Sequence, residues 1–121
     1  MEWQPISEAD IWEKINKSYE RMSLEQRRLW EVIKIDPEKW QEETYGKEGG
    51  GFWVVAIIGS SVIWYNDIEE GFNRSKYLNY GAINDYWCNQ DQLEWTTQNI
   101  INELKDGYDS SGYASPPQPI A

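Results

Sequence analysis

Two apolar runs separated by two residues constrain this chain more than anything else in it. Phe52–Ile58 is rich in β-branched and aromatic side chains, Gly59-Ser60 has the chemistry of a tight turn, and Val62-Ile63-Trp64-Tyr65 resumes the pattern. That reads as a β-hairpin. Side chains alternate along a strand, so Phe52, Val54, Ala56 and Ile58 are expected on one face and Trp53, Val55 and Ile57 on the other. Both faces are apolar, so the sheet needs cover on both sides, from helices or from a partner.

Helices are written on either side of the hairpin. Ser7 with Asp10 forms an N-cap pattern, and Ile11, Ile15, Tyr19 and Met22 recur at three to four residues, predicting a helix over 8–22. Ser23 with Gln26 is a second capping signature and starts the stripe Leu24, Leu29, Trp30, Ile33. Asp36-Pro37 reads as a third start, with Ile35 and Trp40 placed as a hydrophobic staple, and predicts a short helix ending before Tyr45. Gly46 and Gly49-Gly50-Gly51 then interrupt regular structure. Beyond the hairpin, Gly71 closes a turn after Asp67-Ile68-Glu69-Glu70, and a third strand is expected near 75–80. Asn89 with Gln92 caps a last helix carrying Leu93, Thr97, Ile100, Ile101 and Leu104, which Lys105 and Gly107 end. The expectation is an α+β fold: N-terminal helices packed on a short, roughly three-stranded antiparallel sheet, followed by a long C-terminal helix. Residues 1–107 make one domain in this reading, and the Pro/Ser/Gly-rich 108–121 a flexible tail without a core-forming pattern.

Charge and composition narrow the chemistry. There are 21 acidic against 11 basic side chains, a net charge of −10, which repels nucleic acid and anionic membranes. The longest apolar run is too short to span a bilayer. Residues 1–48 carry eight Lys or Arg, but 77–104 carry none beside Asp85, Asp91, Glu94 and Glu103. A basic protein partner is favoured. Histidine is absent, which removes Ser-His-Asp and Cys-His catalysis and His-ligated metals. Cys88 is the sole cysteine, so no intrachain disulfide forms, and it is expected to be a partly buried structural thiol. With no basic and apolar leader after Met1, the cytoplasm is the expected compartment. Lys47 is not followed by Ser or Thr and a helix, so the glycine run is no P-loop; it suits a loose loop or a close backbone approach. A calcium loop starting at Asn66 would place Ile68 and Tyr77 at ligand positions, so the turn is no EF-hand. No metal or cofactor is expected.

Eight Trp, eight Tyr and two Phe exceed what the helical stripes use. Rings framed by carboxylates point to a non-enzymatic binding or regulatory module, with Trp64, Tyr65, Asp67, Glu69, Glu70, Tyr77, Tyr80, Asp85, Tyr86 and Trp87 as contact residues. The alternative is a carbohydrate or small-ligand site, with or without hydrolysis, formed by carboxylates and aromatics of the 64–73 turn; it requires two carboxyl groups within about 5–10 Å of each other. A homodimer burying one face of the hairpin is the third reading.

Overall fold

The computed structural model describes residues 3–107, so the expected tail at 108–121 lies outside the described residues. Its element order is α1 (Glu8–Arg21), α2 (Leu24–Ile33), β1 (Lys34–Trp40), a 3-10 turn (Gly46–Gly49), β2 (Phe52–Ile58), β3 (Ser61–Asn66), β4 (Gly71–Lys76) and α3 (Leu93–Asp106). The four strands pair antiparallel in the order β1-β2-β3-β4. This is the expected α+β arrangement with one strand more. Among the described residues no helix is long and apolar enough to cross a membrane.

Both early caps form as their chemistry dictates. Ser7 Oγ accepts from the Asp10 N–H, and Ser23 with Gln26 makes both bonds of a capping box. The expected third helix does not exist: residues after Ile33 pass straight into β1. Proline disfavours the α conformation in the residue before it, and its missing N–H is tolerated at the edge of a sheet or at a bulge. Pro37 sits in an edge strand, within a register shift between Lys34 and Glu38. Trp40 stands opposite Phe52 instead of stapling a helix.

The hairpin departs from simple alternation once. Val54 faces Trp64 and Ala56 faces Ile63, so Val55 is an extra residue on β2. Beyond this bulge the faces exchange: Ala56 and Ile58 join Val55 against the helices, and Ile57 joins Val54 on the opposite side. The third strand starts at Gly71, four residues earlier than expected, because the turn spans 67–70 with Glu70 in the left-handed region at φ 59°. Gly71 is required for another reason. A Cβ there would lie 2.2 Å from the Asn89 carbonyl oxygen.

On the inner face, Val55, Ala56, Ile63, Tyr65 and Phe72 share a buried cluster with Ile11, Ile15, Trp30, Ile33, Leu93 and Ile100 from the three helices. Arg21 with Glu94 at 2.5 Å ties α1 to α3, and Arg74 with Glu103 ties β4 to α3. On the outer face, Trp40, Phe52, Val54, Val62, Trp64 and Ile83 form a second cluster with Ile35, Ile57, Tyr77 and Tyr86 against it. The chain itself therefore closes the face for which a second copy is one expected cover.

Candidate functional site

Residues 77–92 connect β4 to α3 without regular structure and are the outer cover of the sheet. Tyr77 N–H donates to the Ser60 carbonyl at 2.9 Å, and farther on Gln41 N–H donates to Gly81 O while Ile83 N–H donates to Gln41 O, both at 2.8 Å. The segment then returns, with Asn84 N–H on the Lys76 carbonyl at 3.0 Å and Phe72 N–H on the Asp91 carbonyl at 2.8 Å. It thus crosses from the β4 edge to β1 and comes back.

A connection this long must have its backbone groups satisfied where it lies on an apolar surface. Three outward-facing residues of β3 and β4 supply that. Asn66, fully buried, donates through Nδ2 to the Tyr86 hydroxyl at 2.9 Å and the Trp87 carbonyl at 3.0 Å. Asn73 donates to the Asn89 carbonyl at 3.0 Å and accepts its N–H at 2.9 Å. Ser75 Oγ donates to the Asp85 carbonyl at 2.6 Å and accepts from Trp64 Nε1 at 2.8 Å. Asn89 is thus held by a strand amide and caps nothing; the first residue before α3, Gln92, makes no side-chain cap.

Eight of the ten expected contact residues separate into three groups. Trp64 and Tyr65 are core: Trp64 has no exposure, and burial pushes the Tyr65 hydroxyl up to about 12. Tyr77 and Tyr86 are half-buried, packed on the outer cluster. Tyr80, Trp87, Glu69 and Glu70 are exposed, with Tyr80 at 66% and Trp87 at 46%. Tyr80 donates to Glu38, and that bond, with a smaller contribution from burial, raises its pKa. Sequence reasoning misses Leu78 at 81% exposure, Tyr45 tilted against Tyr86 with ring centroids 4.8 Å apart, and the amides of Asn66 and Asn73. Amides alternating with Trp64 on apolar strands are a readable signal, since a buried carboxamide needs partners. Cys88, expected partly buried, is exposed.

The four acids of the alternative reading are held by different parts of the fold. Asp67 Oδ2 accepts from Ile6 N–H at 2.8 Å, and its charge acts on Lys39, which lies over the Trp53 ring at 5.1 Å on the helix side. Burial raises the Asp67 pKa, and its Oδ1 is buried without a hydrogen-bond partner. Asp85 is held through its backbone carbonyl by Ser75 on the opposite face, Glu69 and Glu70 are exposed, and, after burial, the carboxylates of Glu70 and Asp67 both act to raise the Tyr65 pKa. Among the described residues no group of three or more His, Cys, Asp or Glu could hold a metal ion. Two clefts, of about 300 Å³ beside Trp12, Tyr19 and Trp30 and about 320 Å³ beside Glu42 and Gly51, contain none of these acids. The glycine run is a close backbone approach: a Cβ on Gly51 would lie 2.2 Å from the Trp40 carbonyl oxygen.

Charge is compensated unevenly between the two faces. Glu94 and Glu103 are matched by Arg21 and Arg74, and none of Glu38, Glu69, Glu70, Asp85 and Asp91 makes an ion pair among the described residues. The outer surface thus combines exposed rings with uncompensated carboxylates. Comparison with protein-family models, curated proteins and solved structures finds no match to this chain.

Proposed function

We propose that this protein is an acidic recognition module whose 77–92 segment and 67–70 turn bind a basic protein. One observation carries the reading: an irregular segment of sixteen residues is pinned to the sheet by buried Asn66, Asn73 and Ser75, and it presents Leu78, Tyr80 and Trp87 to solvent with no Lys or Arg of its own. A rigidly held aromatic surface loses little entropy on binding, and carboxylates around it speed encounter with a cationic partner and reject anionic ones. Irregular segments held by a rigid scaffold are where recognition concentrates. The carbohydrate reading has less support: the Asp67 carboxylate lies on the helix side while the Asp85 backbone is held on the opposite face, and neither of the two clefts is lined by these acids.

The test is affinity capture from an extract of the source cell, using the full chain and a Tyr80→Ala/Trp87→Ala variant side by side. A basic protein retained at about 50 mM salt, released by about 500 mM and absent from the variant is the expected result. Retention indifferent to both salt and substitution would sink the proposal.

A further inference from the structure

One buried amide brings an acidic turn and a pair of rings to the same place. Asn66 Oδ1 accepts from the N–H groups of Ile68 at 3.0 Å and Glu69 at 3.1 Å, while its Nδ2 holds Tyr86 and Trp87. Gln90 adds a second tie, donating to the Glu69 carbonyl at 2.9 Å. Tyr45, 54% exposed, lies on Tyr86 with ring centroids 4.8 Å apart and planes at 59°. Its backbone is fixed as well: buried Glu42 accepts from the N–H groups of Thr44, Tyr45 and Gly46. Burial raises the Tyr86 pKa, the Asn66 hydrogen bond opposes it, and the nearby Glu69 carboxylate adds to the rise.

The molecule shows elsewhere what such rings attract. Lys14 lies 5.3 Å from the Tyr65 ring centroid, Arg27 lies 4.8 Å from that of Tyr19, and Lys39 lies 5.1 Å from that of Trp53. No cation of the described residues occupies the Tyr45–Tyr86 pair, and Glu69 makes no ion pair among them. A planar guanidinium can do both jobs there, stacking on a ring while pairing with a carboxylate; an ammonium, compact and strongly hydrated, does so less well. Building on the recognition reading above, we infer that Tyr45, Tyr86 and Glu69 form the receptor for one arginine side chain of the basic partner. Asn66 acts as a positioning residue, fixing the Glu69 backbone beside the Tyr86 hydroxyl.

The experiment titrates the full-length protein with octa-arginine and octa-lysine peptides at about 50 mM salt, following affinity by calorimetry and amide shifts by NMR. Octa-arginine should bind about threefold or more tighter, with the largest shifts at residues 45, 66–70 and 84–88. Glu69→Gln and Tyr45→Ala should each weaken it by about fivefold, Tyr45→Phe should restore wild-type affinity, and Glu48→Gln, an exposed acid of the 3-10 turn, should change it by less than about twofold. If both peptides bind equally and Glu69→Gln behaves like Glu48→Gln, the arginine receptor is wrong and the wider recognition surface survives. If neither peptide binds at low salt, both fall together.

Discussion

On one face of the sheet, Val55, Ile63 and Phe72 pack in one cluster with Ile11, Ile15, Ile33, Leu93 and Ile100 from three helices; on the other, Val54, Val62 and Trp64 pack with Ile83, Tyr77 and Tyr86 from a segment without regular structure. Helices satisfy their own backbone groups, so apolar contact is all they need from the sheet. An irregular cover has no such autonomy. Besides backbone bonds to Ser60, Gln41, Phe72 and Lys76, it draws hydrogen bonds from Asn66, Asn73 and Ser75, which sit in the strands where purely apolar residues would otherwise suffice. The inner face is therefore built for stability. The outer face adds directional bonds that hold one particular loop conformation, as the proposed recognition surface requires.

The comparison predicts different failures on the two sides. Ile100→Ala removes a side chain 1% exposed at the centre of the helical face and should cost about 3–4 kcal/mol through lost burial and a residual cavity. Its effect should be global: the urea midpoint falls, and slowly exchanging amides of α1, β3 and α3 lose protection together. Loss confined to α3 would show that the helices are not one cooperative cover.

Asn66→Ala should cost less, about 2–3 kcal/mol, because the loop groups it abandons can turn to water. Here the effect should be local. Amide exchange at Ile83, Asn84 and Asn89, whose N–H groups are held by Gln41, Lys76 and Asn73, should accelerate far more than exchange in α1 or α3. If all of them accelerate equally, the outer cover is part of the global unit and the distinction between the faces collapses.

This asymmetry also explains what could be read from the sequence. Helix starts at Ser7 and Ser23, the end at Gly107 and the Gly59-Ser60 hairpin are local signals in which a few neighbouring residues decide the geometry. The inner cover followed from them. Asp36-Pro37 misleads because its chemistry suits a helix start and an edge-strand bulge equally, and only pairing of β1 with β2 decides between them. Of the candidate site, Tyr80, Trp87, Glu69 and Glu70 stand out in the sequence as rings and acids without helical periodicity, and the structure leaves them exposed. Tyr45 was not, since its place depends on Glu42 capping the 44–46 backbone and on Tyr86, forty-one residues later, arriving beneath it.

The smallest expected effect lies at Asp67, where the N-terminal segment crosses to the inner side of the β3–β4 turn. Trp3 Nε1 donates to the Asp67 carbonyl, Ile6 N–H donates to its Oδ2, and Trp53 Nε1 donates to the Ile6 carbonyl. Burial raises the Asp67 pKa above 3.8, with the Ile6 hydrogen bond and Lys39 opposing it, so the folded state binds this proton more readily than the unfolded state. Its contribution to stability is then greatest below the unfolded pKa and is lost as pH rises through the folded value. Glu94 has the opposite sign. Burial there is outweighed by the Arg21 hydrogen bond together with backbone and Ser18 bonds, so its pKa is lowered and its contribution disappears as pH falls. Asp67→Asn keeps an oxygen for Ile6 and removes the buried charge, so at pH 7 it should change stability by less than about 1 kcal/mol, in the stabilising direction. Urea midpoints measured at several pH values should show the variant's advantage shrinking toward zero as the solution is acidified past the folded pKa of Asp67. A variant destabilised by more than about 1 kcal/mol at pH 7 would mean that the buried Oδ1 engages a cation in solution, Lys39 being the candidate whose charge already acts on Asp67, and the N-terminal segment would then be held by an ion pair as well as by its hydrogen bonds.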